Sequence, residues 1–119
     1  MDFEAAKALC RSFPGATADI KWGDDLVFSV GDKMFAVTST AAPAQAMSFK
    51  AEDERFLELT DRPGIIPAPY LARAKWVKVD ASASLSDEEA AGLLRRAYEL
   101  VFARLTKKLQ REIGGGSGA

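Results

Sequence analysis

The stretch Trp22-Gly-Asp-Asp-Leu-Val-Phe-Ser-Val-Gly-Asp-Lys-Met-Phe-Ala36 decides the fold. Leu26, Phe28 and Val30 alternate with Val27 and Ser29, which is the period-two pattern of a half-buried strand. Gly31-Asp32 follows as a pair of turn residues, and glycine at the first central position suits a tight primed hairpin turn. A chain that folds back there sets Phe28 opposite Phe35, Leu26 opposite Val37, and Lys33 at the tip opposite Val30. The aromatic pair holds that register, because a slip of one residue turns both rings to the wrong face.

Outward from this hairpin, Asp2 caps a first helix running to about Ser12, with Phe3, Ala6, Leu9, Cys10 and Phe13 as its apolar stripe. Pro14-Gly15 ends it, and Ala16 to Trp22 reads as a strand with Ala18, Ile20 and Trp22 on one face. Gly23-Asp24-Asp25 turns the chain into the hairpin. Met34 to Thr40 returns, Ala41 to Gln45 forms a loop, and Ala46 to Lys50 is a fourth strand carrying Met47 and Phe49 on one face. Glu52 to Thr60 reads as a short helix facing inward with Phe56 and Leu59. The prolines at 63, 67 and 69 exclude regular structure up to Tyr70, and Trp76, Val77 and Val79 mark a fifth strand.

Ser86, with Glu89 three residues on, is a capping-box signature. Behind it Leu93, Ala97, Val101, Leu105, Leu109 and Ile113 repeat at spacing four, which predicts one long helix lying across the sheet; Ala90, Leu94, Tyr98 and Phe102 widen its apolar face. The order predicts an α+β domain over residues 1–113, a single antiparallel sheet with helices packed on one face, and a flexible Gly/Ser tail over 114–119.

At 119 residues, 48% hydrophobic and 28% charged, the chain has the size and composition of one soluble globular domain. Its formal net charge of -1 names no partner, although acids prevail over residues 1–32 and bases over residues 33–80. The start lacks a signal pattern and no apolar run approaches a membrane span, so a cytoplasmic protein is expected, and the element order with the stripe on the last helix predicts a monomer. Cys10 stands alone and reads as a small core residue. There is no histidine to act as a general base, no nucleophile elbow and no phosphate-cradling glycine loop, so no enzymatic activity is expected. Asp24-Asp25 reads as a turn and Asp87-Glu88-Glu89 as the start of a helix, so neither calls for a metal, and no cofactor is expected.

Taken together, Lys21-Trp22-Gly23, Val27 to Ala36, Phe49-Lys50, Pro63-Gly64-Ile65, Pro69-Tyr70-Leu71, Lys75-Trp76-Val77 and Ala97-Tyr98 resemble the MmcQ/YjbR family, over nearly everything from Phe3 to about Lys108. The resemblance implies a fold like that of the bacterial frataxin homologue CyaY. It also implies the family's DNA-binding label, which rests on likeness to double-wing hairpin DNA binders. Many members carry histidines after the Pro-Gly motif and before the second tryptophan; Leu71 and Lys75 stand in that region here.

Two kinds of site follow. Nucleic-acid binding needs a local basic surface that tracks phosphates. Lys33 at the hairpin tip, where a wing would insert, with Lys50, Arg73, Lys75 and Lys78 on or beside strands, supplies such a surface if these residues share a face. Their other reading is edge-strand charge that blocks aggregation. Arg104, Lys107, Lys108 and Arg111 form a second patch, which also reads as a solvated helix end. No recognition helix is present, so DNA binding is expected to be weak and largely independent of sequence. The alternative is a protein-interaction or small-ligand module in which the Pro63 to Tyr70 loop walls a groove with Trp22, Tyr70 and Trp76. Against the groove stands the reading in which Trp22, Tyr70 and Trp76 simply close one end of the core; Trp22, Phe28, Phe35 and Trp76 are expected mainly to serve the fold.

Overall fold

A computed structural model describes residues 1–41 and 44–114. Ala42 and Pro43 of the expected loop, and residues 115–119 of the expected tail, lie outside the described residues. The elements run α1 (Phe3–Ser12), β1 (Ala16–Lys21), β2 (Asp25–Val30), β3 (Lys33–Ser39), β4 (Ala46–Lys50), α2 (Asp53–Thr60), β5 (Ile65–Pro67), a 3-10 turn (Ala72–Ala74), β6 (Trp76–Asp80), α3 (Asp87–Phe102) and α4 (Lys107–Gly114). The strands form one sheet in the order β1-β2-β3-β4-β6-β5, and every neighbouring pair is antiparallel. This is the α+β architecture the hydrophobic pattern implies.

Local chemistry sets the helix starts. The Asp2 carboxylate accepts from the backbone N–H groups of Glu4 and Ala5 at 3.0 Å, satisfying two of the open donors of α1. Ser86 accepts from the N–H of Glu89 at 3.0 Å, so half of the expected capping box forms. The Glu89 carboxylate turns instead to Arg62, taking a two-pronged contact at 2.9 and 3.0 Å that ties the loop after α2 to α3.

One core joins the helices to one sheet face. Phe28, Phe35, Phe49, Val77 and Val79 meet Cys10, Leu59, Leu94 and Ala97, all of them fully buried. Phe13, Phe35 and Tyr98 form an aromatic cluster with ring centres 4.9–5.9 Å apart. The Tyr98 hydroxyl donates to the Pro14 carbonyl at 2.6 Å, which spares a half-buried hydroxyl an unmade bond. Burial also pushes the Cys10 thiol up to about 12, so that side chain behaves as a neutral core group.

Three features depart from the sequence reading. The hairpin closes through Gly31 and Asp32 as expected, both at positive φ (56° and 65°), with Val30 opposite Lys33. The register then shifts between Ser29 and Phe28, so Phe28 faces Ala36 and Leu26 faces Thr38. Phe35 is the extra residue of a β-bulge; its ring still lies 6.4 Å from that of Phe28. The bulge lets Phe35 and Ala36, neighbours in sequence, both be fully buried.

Second, the long C-terminal helix is two helices. A stripe at spacing four rotates by about 40° per step on a helix of 3.6 residues per turn, and has drifted by roughly 200° between Leu93 and Ile113. A straight helix would carry its end away from the sheet. Instead the chain breaks after Phe102, and Thr106 caps α4 by accepting from the N–H of Leu109 at 3.1 Å. The Gln110 side-chain amide donates to the carbonyls of Phe102, Ala103 and Leu105 at 2.9–3.2 Å, closing the open end of α3. Third, the proline-rich segment contains a strand. β5 pairs Ile65 with Val79 and Pro67 with Val77, and it tolerates Pro67 because it is the edge of the sheet.

Candidate functional site

Strand register decides where the predicted basic residues lie. Val30 opposite Lys33 marks one end of the sheet, and Ala36 opposite Phe49 brings Lys50 to that same end. Lys50 faces Trp76, so Lys75 and the 3-10 turn carrying Arg73 also sit there. α4 closes over this end. The space a side chain would need at Gly31 is filled by Leu105 and Leu109, and that at Gly15 by Ile113. Arg104 lies near enough to Lys50 that burial and then the Arg104 charge hold its ammonium below the usual lysine range, while Asp53 opposes them. The two basic patches read separately from the sequence are therefore one surface.

Within that surface the cations differ in freedom. Lys33, Arg73, Arg104, Lys107, Lys108 and Arg111 are exposed. Lys50 donates to the Ala74 carbonyl at 2.8 Å, and the Lys75 ammonium stands 5.1 Å from the Phe56 ring centre, toward α2. Lys78 does not join them. It faces Ser48 across β4 and β6 on the sheet face turned away from the core, since its strand neighbours Val77 and Val79 point inward.

That open face is not flat. A cavity of about 670 Å³ lies on it, with Met34, Val37, Ser48 and Lys78 among its lining and the Ala68–Leu71 segment along one side. Trp22, beyond the end of β1, and Tyr70, between β5 and β6, also line it, and they come from opposite sides of β3 and β4 in the strand order. Both rings are far from buried, at 70% and 103% relative exposure. Both also hold left-handed backbone, φ 52° and 67°, a conformation that costs an L-residue with a bulky side chain about 1–2 kcal/mol. Trp76 is only 4% exposed and is not part of the lining. The expected aromatic groove thus keeps Trp22 and Tyr70 and loses Trp76, and Trp22 is no part of the core. Trp76 instead sits opposite Lys50 at the end of the sheet.

The YjbR family model matches residues 11–100. The chain belongs to the YjbR family. Among solved structures, the Deinococcus radiodurans protein DR2400, with its DUF419 domain, is 29% identical and superposes with a TM-score of 0.80 over 94% of this chain and 87% of its own. A Pseudomonas syringae crystal structure, 20% identical, gives a TM-score of 0.69 over 85% of this chain and 99% of its own. A Pseudomonas syringae solution structure, 23% identical, gives 0.58 over 87% and 90%. No curated protein matches the chain. Among the described residues of this YjbR-family chain, no helix is long and apolar enough to cross a membrane, and no group of three or more His, Cys, Asp or Glu is placed to hold a metal ion.

The cavity floor escaped the sequence reading; the nearest signal lies one strand away, at Val27 opposite the lining residue Val37. Leu26 to Val30 has apolar residues on both faces, and Val27, pointing away from the helices, is fully buried. A strand apolar on both sides beneath a single helical layer marks a second sheltered surface.

Proposed function

We propose that this YjbR-family protein is a non-catalytic DNA-binding module that meets the phosphate backbone with its basic end. The observation that carries the reading is the convergence of Lys33 and Arg73 with Arg104, Lys107, Lys108 and Arg111 where α4 folds over the β2–β3 turn. Oppositely charged backbone phosphates are the ligand such a fixed cationic surface suits. The hairpin is not a free wing, because Leu105 and Leu109 anchor its tip at Gly31; Lys33 is presented from a rigid platform. Among the described residues no helix offers a row of Arg, Asn and Gln side chains for base reading, which favours contact with little sequence preference.

Anisotropy titration of a labelled short duplex at several salt concentrations tests this. With about five phosphates neutralised, log affinity falls against log salt with a slope of roughly -4 to -5. Charge reversal at Lys33, Arg73 and Lys107 together abolishes binding while the melting temperature holds. A duplex that fails to bind at low salt, or binds the charge-reversed protein equally well, overturns the reading.

A further inference from the structure

The cavity on the open sheet face is lined by other residues than the exposed cations of the basic end, and its construction is at odds with what folding alone rewards. A bulky residue at positive φ is disfavoured by its own backbone, and an exposed aromatic ring gains nothing from burial. Trp22 and Tyr70 show both properties and flank one cavity. Either residue as glycine would relieve the backbone and expose less apolar surface. Between the two rings Met34 and Val37 give the lining apolar surface, with Ser48 beside them, and about 670 Å³ is the size of an ordinary small-molecule site. One cation serves it. Lys78 is half-buried on the floor, and its neighbour in charge is Asp80, whose carboxyl is held below its usual range first by hydrogen bonds from Ser82 and only last by Lys78.

We propose that this cavity is a binding site for a small planar aromatic anion, its ring held by Trp22 and Tyr70 and its acidic group paired with Lys78. Flat faces at both rims suit a ring system, because aromatic side chains stack favourably on one another's faces or edges. A half-buried ammonium, the one cation of the lining, with the neutral Ser48 opposite it favours an anionic head, since a charge-assisted bond is strongest where water is partly excluded. Asp25, also in the lining, disfavours the anion near itself and so sets the orientation of the ligand. The site stands on different residues from the proposed DNA contact, and neither reading depends on the other.

The probe is 1-naphthoate, with 1-naphthylmethylamine as its cationic counterpart, each titrated into the full chain by two-dimensional NMR. Expected are saturable shifts at the Trp22 indole N–H, the Met34 methyl and residues 68–71, with naphthoate binding at least tenfold tighter than the amine. Lys78→Ala removes that preference by weakening naphthoate about tenfold and leaving the amine unchanged. Trp22→Gly and Tyr70→Gly lose naphthoate binding yet melt at or above the parent temperature, a combination that a structural role for the rings does not produce. Absence of saturable shifts at the cavity, equal binding of the amine, or glycine variants that bind as the parent does would each overturn the proposal. Naphthoate shifts confined to Lys33 and α4 would overturn it as well.

Discussion

Replacing Phe28 by alanine tests the core where sequence and structure overlap most. The ring is fully buried, 6.4 Å from the Phe35 ring, and roofed by the Arg11 guanidinium at 5.7 Å. Its removal sacrifices the transfer energy of the ring and leaves a cavity, because the bulge at Phe35 and the strand neighbours on either side fix the surrounding backbone. Large-to-small changes of this kind cost about 3–5 kcal/mol. At about 2.1 cal/mol/K per residue, a chain of 119 residues unfolds with an entropy near 0.25 kcal/mol/K, so the melting temperature should fall by about 12–20 °C. The loss is a large share of the 5–15 kcal/mol that holds a typical domain together. Thermal melting followed by far-ultraviolet circular dichroism, with urea midpoints alongside, reads it. A fall of under about 4 °C, equivalent to roughly 1 kcal/mol, would refute the account of the ring as a rigidly enclosed core group.

Gln110→Ala should cost only about 1 kcal/mol, since the amide is half-exposed and the Phe102 carbonyl still accepts from the Leu105 N–H, but it removes the side-chain donor that ties α4 to the end of α3 and should speed amide exchange throughout α4 relative to α3; equal protection of α4 in variant and parent would contradict this. The Glu89 carboxyl is held below its ordinary range, chiefly by hydrogen bonds from Arg62, and Glu58 likewise, chiefly by Arg55. Depressed folded-state values give stability that is present above the unfolded carboxylate value of about 4.3 and lost as pH falls through the folded value, so urea midpoints should drop on acidification below about pH 4.5, and Glu89→Gln should flatten that limb; an unchanged acid limb would remove the network from the explanation. Cys10, buried and with its thiol raised to about 12, should resist a thiol reagent at pH 8 until the chain is unfolded, and rapid native-state labelling would show that α1 opens readily.

Much of the fold was legible because its patterns have short periods. Alternation in Leu26 to Val30 and the Gly31-Asp32 pair locate the hairpin, and Asp2 and Ser86 locate two helix starts within a residue. What the pattern hid were decisions made by tertiary packing. No local feature announces that Phe35 will be inserted as an extra residue, since the gain comes from Phe13 and Tyr98, far away in sequence. The spacing-four stripe of the last helix looked continuous because each step of drift is small; only its sum forces the break at residues 103–106.

The candidate surfaces were hidden in different ways, and the difference bears on what they are. The basic residues were visible one by one, but their union depended on the break that folds α4 back onto Gly31. The same event that buries Leu105 and brings Leu109 and Ile113 onto the core carries Lys107, Lys108 and Arg111 to Lys33, so folding accounts for the position of the helix and leaves only its exposed charges unaccounted for. The cavity is the reverse case. Its two aromatics could be named from sequence as the walls of a groove, but their backbone could not, because left-handed φ at an exposed tryptophan or tyrosine is what propensity argues against. Local rules fail most often where a chain has been shaped for something other than stability. By that criterion Trp22 and Tyr70, strained and exposed around one cavity, are the described residues that folding explains least.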